Sequence, residues 1–194
     1  MRIASLAAVA VCATLLAGCS ATDPLSAQAR AGDDKNYVAG DGTTAEIAPD
    51  ERGEPVTLTG TTAVGGQVAL ADWRGDVVVL NVWYAACAPC RAEAPDLAEV
   101  ANGYASEGVQ FLGINTRDGA AQAKAFQRTF DLSYPSILDA SDGAALLALR
   151  GEANPRAVPT TLVLDRQGRV AARIVGLAEG SVLTAMLDRV LEEA

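Results

Sequence analysis

The chain predicts an α/β domain, a mixed sheet with helices on both faces, and three stretches carry that prediction. Residues 77–84 form a near-continuous β-branched and aromatic run, the pattern of a central strand covered on both sides. From residue 89 to about 107 the apolar positions Ala94, Leu97, Ala98, Ala101 and Tyr104 recur at three- and four-residue steps, which puts them on one face of an amphipathic helix. Residues 109–115 read as a second buried strand, and strand, helix and strand in this order imply a right-handed parallel crossover.

The other elements fall into place around that unit. Residues 56–62 alternate partly, Gly65-Gly66 marks a turn and residues 67–70 return, so a β-hairpin precedes the central strand. Trp73-Arg74-Gly75 closes a loop. Pro95 falls inside the first helix and is expected to kink it, because proline removes a hydrogen bond and crowds the preceding turn. Residues 120–130 pattern as helix, 134–138 as extended chain and 143–150 as helix again, before 151–155 break the pattern. Residues 160–165 and 170–175 are strands joined by the Gly-containing loop 166–169, and 179–192 is a last amphipathic helix.

Composition narrows the function. The 194 residues are 50% hydrophobic and 20% charged, enough apolar material for one compact core. A formal charge of −9 repels phosphate backbones, so nucleic acid is not expected as a partner. There is no histidine, which removes Ser-His and Cys-His nucleophile pairs and the commonest transition-metal ligand. At the N-terminus, Arg2 and the uncharged, Ala/Val/Leu-rich stretch 3–17 read as a signal peptide. Its end, Leu16-Ala17-Gly18-Cys19, resembles the bacterial lipobox, which implies cleavage before Cys19 and lipidation of that cysteine; Cys12 is discarded with the leader. The expected organisation is a lipoprotein signal peptide over 1–18, a polar, flexible tether over 19–52 and a folded domain over 53–194, although part of the tether could pair as an extra N-terminal strand.

Of the four cysteines, only Cys87 and Cys90 lie in the globular body. Cys87-Ala88-Pro89-Cys90 places them at the exit of a buried strand and in the first turn of a helix, where unpaired backbone N–H groups stabilise a thiolate. The expectation is an exposed Cys87 of lowered pKa that attacks a disulfide, and a shielded Cys90 that resolves the mixed disulfide. Zinc would need about four N or S ligands, which the body does not supply. A purely structural bridge over so short a loop would constrain the unfolded chain little. No separate cysteine outside the pair suggests a peroxidase.

Residues 81–91, Asn-Val-Trp-Tyr-Ala-Ala-Cys-Ala-Pro-Cys-Arg, resemble the active-site strand and helix of the thioredoxin superfamily, in its TlpA/ResA/DsbE-like branch. The likeness runs from about residue 53 to 192 and includes the preceding hairpin, the Gly113-Ile114-Asn115 strand end and a helical insert before Tyr134-Pro135. It implies a thioredoxin fold with an N-terminal β-hairpin extension and a central helical insert, and a redox-active disulfide between Cys87 and Cys90. It also implies a cis peptide between Val158 and Pro159, in a loop that faces the pair and offers backbone groups to an extended substrate. Glu93 matches a glutamate of ResA-like members that could relay protons; the plain alternative is a solvated partner of the helix dipole. Asn81 stands where thioredoxin has a buried aspartate, and Tyr84, Ala86 and Ala88 also depart from the commoner residues. Trp83 reads as packing.

What the resemblance implies functionally is a membrane-tethered thiol-disulfide oxidoreductase on the extracytoplasmic face of the cell membrane. The expected role is that of a reductant of the cytochrome c maturation type. Its partners would be exported protein thiols or disulfides, possible clients including apocytochrome c, and a membrane thiol electron carrier. No cofactor is expected beyond the disulfide and the lipid on Cys19, and no metal. The alternatives are a disulfide-forming oxidant and a non-catalytic binding module on the same fold.

Overall fold

The computed structural model describes residues 44–153 and 157–193. The signal peptide, Cys12, Cys19 and the first part of the expected tether lie outside the described residues.

A six-stranded mixed sheet runs in the order β1-β8-β7-β4-β5-β6, beside a separate two-stranded hairpin of β2 and β3. The strands are β1 (Thr44–Glu46), β2 (Thr59–Thr61), β3 (Gln67–Ala69), β4 (Val77–Trp83), β5 (Val109–Asn115), β6 (Ser136–Leu138), β7 (Thr160–Leu164) and β8 (Val170–Val175). The helices are α1 (Ala88–Gly103), α2 (Ala120–Thr129), α3 (Ala144–Ala148) and α4 (Gly180–Glu192), with a 3-10 turn at Leu70–Trp73. β4 pairs parallel with β5 and antiparallel with β7, and β5 pairs parallel with β6. This is the thioredoxin fold, carrying the N-terminal hairpin and the central helical insert.

β4 explains the arrangement. All seven of its residues are buried, because alternate side chains feed two different cores. Val77 and Val79 pack with Leu97, Val100, Leu183 and Met186 under α1 and α4. Val78, Leu80 and Val82 pack with Leu58, Leu70, Ala145 and Leu149 under the hairpin, the 3-10 turn and α3. A strand with no solvent face has no use for polar alternation, which is why the run 77–83 is almost wholly apolar. α1 continues through Pro95, which lies on the exposed side of the helix, where solvent can serve the carbonyl that loses its partner. The helix stops at Gly103, short of the expected 107, with the Tyr104 N–H donating to Val100 O at 3.0 Å.

The domain begins earlier than residue 53. Within the span read as tether, β1 adds antiparallel to β8 at the sheet edge, Thr44 opposite Ile174. Arg52 is fixed as well: its guanidinium contacts Asp165 at 3.1 Å and Glu193 at 2.6 Å. Burial alone would raise the Asp165 carboxyl, but the Arg169 backbone N–H and the two guanidiniums outweigh it and hold the group below its ordinary value. A three-residue strand with Thr, Ala and Glu carries too little apolar pattern to be seen in sequence; it exists because β8 offers it an unpaired edge.

Gly113 sits in mid-sheet on β5 between Asn81 and Ser136. A Cβ there would lie 2.2 Å from Ser136 Oγ and 2.7 Å from Trp83 Nε1, so Gly113→Ala must displace Ser136 and Trp83, the latter a member of the buried cluster that holds the cysteine pair. Overpacking of this kind costs about 1–3 kcal/mol. In urea, the variant's unfolding midpoint is expected to fall by that amount at unchanged m-value; an unchanged midpoint would show that the strands yield freely.

Candidate functional site

β4 ends at Trp83, and the loop 84–86 carries the chain to the start of α1. Cys87 is the N-cap residue, with extended backbone, and its Sγ accepts a hydrogen bond from the Cys90 N–H at 3.2 Å. Pro89 occupies the first turn, where its missing N–H leaves no gap. The two sulfurs form a disulfide, with Cα atoms 5.2 Å apart. Both are buried, Cys87 at 3% and Cys90 at 2% exposure, so the expected contrast between an exposed first sulfur and a shielded second one is absent in the oxidised chain. Both cysteines belong to one buried cluster with Ala63, Trp83, Ala94, Ala123 and Phe126, against which Tyr84 and Val158 pack. Pairing also lets one sulfur shield the other, which sequence spacing alone could not reveal.

Val158–Pro159 is a cis peptide. It brings the Val158 carbonyl oxygen to 3.9 Å from Cys87 Sγ; a disulfide sulfur has no hydrogen to donate, so this is a contact across the loop. Pro159 O accepts from the Gly176 N–H at 2.9 Å and Thr160 Oγ1 donates to Ala157 O at 2.6 Å. The loop is thereby fixed on its inner side.

Glu93 follows Cys90 by three residues on α1 and is completely buried. The reading of a solvated dipole partner is overturned. Its Oε1 accepts from Asn81 Nδ2 at 2.8 Å and its Oε2 from the Ala178 N–H at 2.8 Å. Asn81 Nδ2 also donates to Thr161 Oγ1 at 3.1 Å. Burial pushes the carboxyl up from 4.5 to about 7; the hydrogen bonds from Ala178 and Asn81 pull it back in part, and the nearby charge of Asp96 adds to the rise. Asn81, unable to exchange a proton itself, is a donor that fixes a group that can.

The sequence reading missed the brace behind the pair. Asn115 Oδ1 accepts the N–H groups of Arg117 and Asp118 at 3.2 and 2.8 Å, an Asx turn at the end of β5. Asn115 Nδ2 donates to Asp118 Oδ2 at 2.8 Å, and that oxygen also takes the Ala85 N–H at 2.6 Å. The signal was present as Asn115 with Asp118 three residues on, but its link to Ala85 crosses two strands. Trp83 packs against Phe126 with ring centroids 4.3 Å apart. Among the described residues no group of three or more His, Cys, Asp and Glu is placed to hold a metal.

The matched family decides the class. Residues 47–173 match the AhpC/TSA family. The chain belongs to the AhpC/TSA family. Within it, the chain is thioredoxin-like. It is 27% identical over 130 residues to thiol-disulfide oxidoreductase ResA of Bacillus cereus, covering 67% of this chain and 72% of that protein. It is 34% identical over 122 residues to the thiol:disulfide interchange protein HelX of Rhodobacter capsulatus, covering 62% of this chain and 65% of the relative. A secreted thiol-disulfide isomerase from Corynebacterium glutamicum superposes with a TM-score of 0.70 at 30% identity, over 80% of this chain and 96% of that one. A DsbF homologue from Corynebacterium diphtheriae gives 0.68 at 31% identity, over 79% and 96%. The chain is a thiol-disulfide oxidoreductase of the ResA/DsbE type.

Glu93 leaves a thermodynamic signature. Its folded pKa lies above the unfolded value, so the native chain holds this proton longer. The group costs nothing below about pH 4.5, costs progressively more as pH rises to about 7, and levels off above. For a shift of this size the full cost is about 3 kcal/mol. Comparing urea midpoints of the oxidised wild type and Glu93→Gln, the wild type is expected to lose ground to the variant between pH 4.5 and 7; a pH-independent gap would place the carboxyl's titration elsewhere.

Proposed function

We propose that the mature protein is a reductant of exported protein disulfides, held to the extracytoplasmic face of the membrane by an acylated Cys19, with Cys87 as nucleophile and Cys90 as resolving thiol. The observation that carries the assignment of the nucleophile is Cys87 Sγ at the N-cap of α1, receiving the Cys90 N–H; the direction, as a reductant, follows the likeness to ResA-type relatives. In the reduced chain the same donor and the helix N-terminus favour a thiolate on Cys87.

The exchange then balances in two steps. The Cys87 thiolate attacks one sulfur of a client disulfide; that S–S bond breaks, a Cys87–client bond forms, and the other client sulfur leaves as a thiolate and takes a proton. Cys90, once deprotonated, attacks the Cys87 sulfur and releases the second client thiolate. Two electrons have passed from the pair to the client, and the Cys87–Cys90 disulfide remains. Glu93, a buried carboxyl with a pKa raised to about 7 and one helical turn beyond Cys90, is suited to receive the Cys90 proton. The Val158 carbonyl and its cis-proline loop supply a backbone edge against which an extended client segment can lie. A membrane thiol carrier would restore the dithiol. Apocytochrome c fits as a client because its reactive cysteines must be kept reduced.

The relatives are thiol-disulfide oxidoreductases and interchange proteins, and two of the similar solved proteins are secreted. These relatives support an envelope location here; among the described residues no helix is long and apolar enough to cross a membrane.

Three measurements test the proposal. Cys87→Ser is expected to abolish insulin reduction, while Cys90→Ser accumulates a mixed disulfide with the substrate; activity in Cys87→Ser would remove the nucleophile. The two-electron potential of the pair is expected near thioredoxin's value of about −270 mV, whereas a value near DsbA's, about −120 mV, would make the protein an oxidant. In the native host, the full chain should fractionate with membranes and Cys19→Ser should not; equal partitioning would refute the anchor.

A further inference from the structure

The loop that leads into Cys87 is flanked by two guanidiniums. Arg117, exposed, lies with Cζ 4.1 Å from the centre of the Tyr84 ring. Arg91, also exposed, lies 5.1 Å from the Phe130 ring and 5.9 Å from the Phe126 ring, and its Nη1 donates a long hydrogen bond to Ala85 O at 3.4 Å. Neither is in an ion pair among the described residues, where the pairs formed use Arg52, Arg169 and Arg189. Acidic groups are not scarce in a chain of charge −9. Asp118, the residue after Arg117, instead turns its carboxylate inward to Ala85 N–H and Asn115.

A guanidinium held over an aromatic ring keeps most of its edge N–H groups available, a planar fork that matches a carboxylate; in Arg91 only the Nη1 bond to Ala85 O is already made. Beside Cys87 in the same loop and first helical turn, Ala86, Ala88 and Pro89 are exposed and short, so they leave room for an incoming chain. We propose that Arg91 and Arg117 are specificity-determining residues that favour client segments with an aspartate or glutamate close to the reacting cysteine. The proposal rests on the reading of Cys87 and Cys90 as the exchanging pair. Rim charges of this kind act mainly on encounter and weaken with salt.

The test uses two peptides with the same internal disulfide, one flanked by Asp and Glu, the other by Asn and Gln. With the pre-reduced full chain at low salt, the acidic peptide is expected to be reduced about fivefold faster than the neutral one. The ratio should approach one at about 1 M salt, where the Debye length is ~3 Å. In the Arg91→Gln/Arg117→Gln double variant the ratio should be near one throughout; any effect on thiol acidity touches both peptides alike and cancels. The wild-type salt series stands even if that variant does not fold. Equal rates in wild type, or a ratio that survives in the double variant, overturns the proposal. Serine versions of the peptides, titrated onto the oxidised chain by tryptophan fluorescence, read the preference without exchange chemistry. Acid-selective binding with no exchange would count against the oxidoreductase reading and uphold the arginines' role, whereas exchange with equal binding and equal rates would do the reverse.

Discussion

Cys87 caps the helix that contains its partner, and the rest of the domain is arranged to keep it there. A helix begins with N–H groups that have no intrahelical acceptor, and here the Cys90 N–H is met by the Cys87 sulfur at 3.2 Å. The sulfur can hold that place only if the strand before it ends at a fixed point. β4 is buried over its whole length, its last carbonyl accepts from the Thr116 N–H at 3.1 Å, and Asp118 takes the Ala85 N–H. The loop 84–86 is thus pinned at both sides, and the geometry of the pair follows from the central sheet rather than from the four-residue motif alone.

A second constraint works against stability. Glu93 lies in the core between α1, β4 and the segment preceding α4, with two hydrogen bonds that compensate burial only partly. A neutral, well-packed residue would be cheaper for the fold. A buried carboxyl whose pKa is raised to about 7 can nevertheless change its protonation near neutral pH, which an ordinary surface glutamate cannot do. That property supports the proposed proton transfer from Cys90.

Legibility differed by element in a physically consistent way. β5 and β8 have the boundaries read from the sequence, 109–115 and 170–175, because each is a mostly apolar run interrupted by only one or two polar residues. β2 is reduced to Thr59–Thr61 and β6 to Ser136–Leu138; edge segments pair only where a neighbour reaches them. β1 was hidden in polar sequence and depends on the free edge of β8. At the site, the pair was visible from its spacing at the start of one helix, and Glu93 from the resemblance to ResA-like members. The burial of Cys87, the tie from Asp118 to Ala85 and the placing of Arg91 and Arg117 beside aromatic rings were not, since each joins residues far apart in the chain.

The amino-acid order by itself determined what acts over a few residues. Two cysteines one helical turn apart, a carboxyl one turn further, a wholly apolar strand before them and a Val-Pro step all rest on local periodicity and covalent geometry. Tertiary structure decided everything that depends on what lies opposite: that Val158 faces Cys87, that Glu93 is desolvated and bound to Asn81 from β4, and that both sulfurs share a buried cluster with Trp83 and Phe126. Burial and electrostatics depend on distances through space, and a chain reports those only after the sheet has brought its distant parts together.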